Sequence, residues 1–123
     1  MMNRPRVLNM AETDLFPGIW GPLAGLAEVV TVPADAQVLA DLLPDFDAYF
    51  ATLHARLTAD IIRQSPRLKV VATPSTGLDH LDLEAMAACG VALLSLVGML
   101  GFVVPLTVVT LLVVLLKPAA ARR

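Results

Sequence analysis

The sequence predicts an α/β fold, in which a parallel sheet of about five strands carries short helices between its strands and an apolar helix follows at the C-terminal end. Three observations point there. Short aliphatic and β-branched runs alternate with helix-length segments over residues 4–96. Three of those segments begin at Asp or Thr and stop at proline or glycine, the residues that start and end helices. Residues 68–96, LKVVATPSTGLDHLDLEAMAACGVALLSL, read in order as buried strand, glycine-containing loop, capped helix and second buried strand.

Taken along the chain, residues 6–10 form an apolar run after Pro5, a first strand. Residues 15–27 hold Pro17, Gly18, Gly21, Pro22 and Gly25, which allow a broken helix or helical turn and forbid a long regular one. EVVTV at 28–32 has the β-branched density of a second strand. Asp35 is an N-cap for a helix over 36–43, with Val38, Leu39, Leu42 and Leu43 on one face and Pro44 ending it. AYFATL at 48–53 reads as the third strand. Thr58 caps a helix over 59–64, closed by Pro66, and residues 68–73 form the fourth strand. Asp82 caps 83–89, Gly90 is the C-terminal stop, and 91–96 is the fifth strand. Strands that alternate with helices take right-handed crossovers and build a parallel sheet covered on both faces, here a flavodoxin-like one.

Composition bounds what such a domain can do. The chain has 123 residues, enough for one domain, and is 57% hydrophobic and 16% charged, more apolar than an ordinary soluble domain. The excess is uneven. Residues 1–96 hold six basic and all eleven acidic side chains, a net charge of −5, whereas 97–123 hold only Lys117, Arg122 and Arg123. Basic residues scattered among acids argue against nucleic acid, whose binding needs clustered Lys and Arg. Cys89 is the one cysteine, so there is no internal disulfide and no cysteine-based metal cluster. Its place in AMAAC reads as a small buried thiol rather than a nucleophile. The N-terminus lacks the long apolar core of a secretory signal, which fits a cytoplasmic domain.

The loop from Thr73 to His80 carries whatever chemistry the domain has. It leaves the carboxyl end of a strand, where open α/β sheets bind ligands. Gly77 permits a positive φ and lets main chain approach a ligand, Ser75 and Thr76 supply hydroxyls, and free backbone N–H groups can hold a carboxylate. The alternative is an ordinary strand–helix turn in which Asp79 and Asp82 only cap the next helix. His54 and Arg56 follow the third strand and read either as a second wall of the same cleft or as a solvated loop. His80 reads as a helix-end or packing residue, since its neighbour Asp79 points elsewhere from a helix start.

VVATPSTGLDHLDLEAMAACGVALLSL resembles the substrate-binding domain of the D-isomer-specific 2-hydroxyacid dehydrogenases, the D-3-phosphoglycerate dehydrogenase family. Thr76, Gly77, Asp79, Asp82, Ala85 and Gly90 carry the likeness, with Thr58-Ala59-Asp60 and Pro66-Arg67-Leu68-Lys69-Val70 before them. It is sharp over 48–96, looser over 4–47 and faint afterwards. The resemblance implies that the main chain at Ser75, Thr76 and Gly77 contacts a substrate carboxylate, that His54 and Arg56 face the same cleft, and that the parent is an NAD-dependent oxidoreductase interconverting a D-2-hydroxy acid and its 2-oxo acid. It implies no catalytic residue and no cofactor site in this chain, because the family's glycine-rich fingerprint and its catalytic Arg, acid and His belong to later sequence. No Gly-x-Gly-x-x-Gly occurs here, and Gly98-Met99-Leu100-Gly101 has the wrong spacing. The 123 residues alone are therefore expected to be inactive, and family dimers join through the absent domain, so no oligomer is inferred.

The domain reading is thus 4–96 substrate-binding, 97–117 apolar and 118–123 a basic tip. Residues 97–116 are about the twenty apolar positions that span a bilayer, with basic residues behind them. Three readings of this stretch stay open: a membrane helix, a soluble helix leading to a missing domain, and the aberrant tail of a truncated or frame-shifted product. The first would make the chain a non-catalytic, membrane-tethered α/β binding module. The abrupt loss of charge and family pattern after Leu96 favours the last.

Overall fold

The computed structural model describes residues 5–11, 25, 27–73 and 78–95. Five strands form one sheet: β1 (Arg6–Asn9), β2 (Glu28–Thr31), β3 (Ala48–Phe50), β4 (Val70–Thr73) and β5 (Ala92–Ser95). Their order is β2-β1-β3-β4-β5, and every pairing is parallel. Among the described residues three helices lie between them: α1 (Ala36–Leu42), α2 (Ala59–Arg63) and α3 (Leu83–Ala88). The expected broken helix over 15–27, apart from Gly25 and Ala27, and the whole tail 97–123 lie outside the described residues. No described helix is long and apolar enough to cross a membrane.

The helix starts follow the caps read from sequence. Asp35 accepts from the N–H groups of Gln37 and Val38, Thr58 from Ile61 and Asp82 from Ala85. Gly90 follows α3 with φ +74°, the left-handed conformation that lets the chain turn back into β5.

One register row, Leu8–Tyr49–Val71, faces the helices. Together with Leu39 and Leu43, Phe46, Ile62, Ala85 and Met86 it builds the core, and α2 packs on α3. Each large aliphatic or aromatic side chain buried there is worth about 1.5–3 kcal/mol over leaving it in water. The alternate row, Val7, Ala48, Phe50, Val70 and Ala72, is also buried, as a parallel sheet requires.

Four expectations change. The third strand stops at Phe50 rather than Leu53, because Thr52 Oγ1 accepts the His54 N–H and starts a turn. The first helix ends at Leu42, and Pro44 does not end the segment; it sits in a 3-10 turn over Leu43–Asp45, where a missing N–H costs nothing. The fourth strand begins at Val70, since the Leu68 N–H still closes a turn on the Ser65 carbonyl. Cys89 is exposed, not buried. It is the C-cap of α3, past Ala85 and Met86, the residues that helix buries.

At the amino-terminal edge, Arg6 packs its guanidinium over Phe46, 4.3 Å from the ring centre, and meets Glu28 and the Asp45 carbonyl. Asp47 accepts from the Arg6 N–H at 2.8 Å and from Arg67 at 3.1 Å.

Candidate functional site

Because all strands are parallel, the connections that follow β1, β3 and β4 leave from one edge. The chain runs from β1 to β2 on one side and later returns to β3 on the other, so the topological switch lies between β1 and β3.

At the end of β1 the described side chains pack inward. Asn9, Met10 and Ala11 are buried, Asn9 Oδ1 accepts the Ala11 N–H, and Asn9 Nδ2 donates to Thr31 Oγ1. The Met10 N–H donates to the Phe50 carbonyl, which ties this turn to β3. Tyr49 sends its hydroxyl to Met10 Sδ at 3.8 Å. Burial pushes that phenol up to about 12, partly offset by the backbone of Thr52, so it keeps its proton and is no acid–base candidate near neutrality.

After β3 comes a tight turn. Thr52 is buried beneath it, and His54 and Arg56 are exposed. The guanidinium of Arg56 donates to the Asp79 carbonyl, in the connection after β4. The main chains of the two connections also interlock. The Leu57 N–H donates to the His80 carbonyl at 2.8 Å, the Asp82 N–H donates to the Leu57 carbonyl at 3.1 Å, and Leu57 and Leu81 form a parallel bridge.

The end of β4 holds a buried polar side-chain pair. Thr73 is fully buried and His80 is 5% exposed, with Thr73 Oγ1 and His80 Nε2 sharing a hydrogen bond at 3.1 Å. Its direction depends on the ring tautomer. His80 Nδ1 is shielded and has no partner among the described residues. Burial lowers the His80 pKa, Asp79 pulls it back up and Arg56 pushes it down, so the ring is neutral at physiological pH. The packing role expected for His80 is what the structure shows. Its partner was not visible from sequence, although a Thr ending one strand and a His at the next turn, seven residues apart, was the available signal.

Of the five expected site residues, His54 and Arg56 stand at the carboxyl edge beside β3, with Arg56 engaged on the β4 side. Ser75, Thr76 and Gly77 lie outside the described residues. Among the described residues no three His, Cys, Asp or Glu side chains gather to hold a metal.

Residues 21–100 match the family described as D-isomer specific 2-hydroxyacid dehydrogenase, catalytic domain. A glyoxylate reductase of Aeropyrum pernix is 29% identical over 103 residues, 80% of this chain and 30% of that protein. A D-3-phosphoglycerate dehydrogenase of Mycobacterium tuberculosis is 32% identical over 91 residues, 73% of this chain and 17% of that protein. The solved structure of a Pyrococcus horikoshii protein is similar with TM-score 0.70 at 23% identity, over 78% of this chain and 28% of that one, a likeness of fold. The chain thus spans under a third of the length of these curated relatives.

Proposed function

Since the chain belongs to the D-isomer specific 2-hydroxyacid dehydrogenase family, we propose that it forms the substrate-binding wall of an NAD-dependent oxidoreductase that interconverts a small D-2-hydroxy acid and its 2-oxo acid. The strand order 2-1-3-4-5 supports a flavodoxin-like, doubly wound arrangement for this wall. The observation that carries the reading is the parallel pairing of β3 with β4, which starts the His54–Arg56 connection and the connection containing Ser75, Thr76 and Gly77 from one edge.

In this reading the main-chain N–H groups at Ser75, Thr76 and Gly77 hold the substrate carboxylate, and Arg56 and His54 border the same cleft and add positive charge and donors. A fixed carboxylate orients the C2 carbon and removes most of its freedom before reaction. The dinucleotide supplies the hydride acceptor or donor. The described residues do not fit it: at the end of β1, Asn9, Met10 and Ala11 are buried, and the Asn9 amide bonds Ala11 and Thr31. Its binding and the proton transfer therefore fall to residues outside the described wall, and a cytoplasmic setting suits a nicotinamide enzyme.

The test joins this chain to the nucleotide-binding domain of a relative and follows NADH oxidation with glyoxylate or hydroxypyruvate. Gly77→Val should raise KM about tenfold or more through lost main-chain contact with the carboxylate, since each 1.4 kcal/mol of binding is a factor of ten. An unchanged KM would show that the loop is only a turn. Hydride transfer by the 123 residues alone would overturn the assignment of the cofactor to other residues.

A further inference from the structure

Two connections that leave neighbouring strands need not touch, and strand order alone would leave them as separate loops. Here three hydrogen bonds join them: Leu57 N–H to the His80 carbonyl and Asp82 N–H to the Leu57 carbonyl, which together make the Leu57–Leu81 bridge, and Arg56 to the Asp79 carbonyl. All three fall on residues 56–57 and 79–82. A further contact, Thr73 to His80, anchors the joined segment to the end of β4.

That last contact is chemically expensive for a position that could hold a plain apolar side chain. His80 brings a polar ring into a nearly closed space, and its Nδ1 is desolvated with no partner among the described residues. An aliphatic residue would fill the volume without that cost. What the imidazole adds is direction. Nε2 meets one hydroxyl, on the last residue of an interior strand, while the His80 carbonyl takes the Leu57 N–H. The side chain thus fixes residues 78–82 relative to β4, and the main chain fixes them relative to the turn bearing His54 and Arg56.

We propose that His80 is a positioning residue: through Thr73 and Leu57 it holds residues 78–82 and the His54–Arg56 turn as one body, and that union sets how tightly the cleft takes a 2-oxo acid carboxylate. The proposal rests on reading this edge as the carboxylate-binding wall. It predicts that the hydroxyl of Thr73, which bonds His80, controls affinity.

The experiment uses the full 123-residue chain, with oxamate as the carboxylate probe, and nuclear magnetic resonance at two places. Hydrogen exchange at the Leu57 and Asp82 amides reports the union without ligand. Oxamate-dependent shifts at His54 and Arg56 report binding. Thr73→Val removes the hydroxyl and keeps the shape; Thr73→Ser restores it. The expected result is faster exchange at both amides and about tenfold weaker oxamate binding in Thr73→Val, the loss that one hydrogen bond of ordinary strength carries, with both returned by Thr73→Ser. Unchanged exchange in Thr73→Val overturns the proposal. Faster exchange with undiminished oxamate affinity also overturns it, since the union would then be structural alone. Should the unsubstituted chain show no oxamate-dependent shift at all, the carboxylate reading itself fails and takes the positioning role with it, an outcome told apart from the others by that spectrum. His80→Gln, which keeps a hydrogen-bonding group near the Nε2 position, should retain more affinity than His80→Leu; equal affinities overturn the proposal independently of any Thr73 variant.

Discussion

Replacing the buried Asp47 by alanine should destabilise the chain by about 2–3 kcal/mol, through lost polar contacts rather than lost apolar packing. Asp47 precedes β3, and its carboxylate takes the place of a ladder carbonyl. Oδ2 accepts the Arg6 N–H at 2.8 Å while the Asp47 N–H donates back to the Arg6 carbonyl at 2.9 Å. The Asp47 carbonyl accepts from Lys69 at 2.8 Å, so one residue closes the sheet end toward both β1 and β4. In Asp47→Ala the Arg6 N–H loses a charge-assisted acceptor at a part-buried position, worth about 1.5–3 kcal/mol. The Arg67 pair adds little: Asp47 is 12% exposed, but Arg67 is 46% exposed and solvent screens it, leaving under about 1 kcal/mol. The sum is about 2–3 kcal/mol, or about 6–15 °C in Tm for a domain of this size. Urea unfolding of Asp47→Ala, Asp47→Asn and Arg67→Ala checks it. Asparagine keeps an acceptor oxygen and should lose about 1 kcal/mol. An Asp47→Ala midpoint no lower than that of Arg67→Ala would refute the reasoning, because the Arg6 N–H would then have found water without cost.

Gly90→Ala should lose about 1–2 kcal/mol although an added Cβ meets nothing within 4 Å, because the cost is the φ of +74° and not a clash; a thermal melt showing no loss would mean the turn re-forms with another φ. Tyr49 is the single tyrosine, so its ultraviolet difference absorbance can be followed in alkali; no phenolate should form in the folded chain until about pH 12, and a midpoint near 10 would contradict its burial. Stability should also fall as pH drops below the ordinary histidine value of 6.5. The unfolded chain takes up a proton there while folded His80 refuses it until its own lowered pKa, so the contribution is whole above 6.5 and is lost between the two values. His80→Gln should flatten that slope in urea titrations, and a slope that survives assigns the effect to other groups. Leu39→Ala, at a fully buried position on α1, should cost about 2–5 kcal/mol by urea unfolding, and a loss under about 1 kcal/mol would show that the helix is not part of the core.

What was legible in the sequence is what local chemistry decides. Asp35, Thr58 and Asp82 cap helices because an extended residue with a short oxygen-bearing side chain satisfies the N–H groups just after it, and that pattern is written within four residues. Gly90 was legible for the same reason. The strand and helix order followed from period and punctuation. Asp47 was not legible, because its acceptor role depends on Arg6, 41 residues away, arriving in register. Nor was the Thr73–His80 pair, which depends on how a loop folds back. Cys89 misled because AMAAC reads as a continuous small face, whereas the buried residues of α3 end at Met86 and the C-cap turns away. The third strand misled through β-propensity: Thr52 and Leu53 suit a strand, but the Thr52 hydroxyl captures an N–H two residues on. At the candidate site, the sequence held no sign that Arg56 would be committed to the Asp79 carbonyl.

The all-parallel ladder has a consequence for how this chain reaches its native state. With no hairpin anywhere among its described pairs, no two strands can meet before some twenty residues of intervening chain have been looped out, as between Arg6 and Glu28. Its described helices have seven, five and six residues, each too short to persist in water by itself. Neither element can therefore wait, preformed, for the other. Strand pairing and helix docking must arrive together, which makes the barrier one of entropy and the folding slow for the chain's length. Until that moment five aliphatic strand segments are exposed on a nascent chain with nothing local to occupy them, a period in which concentration decides between the native sheet and intermolecular pairing.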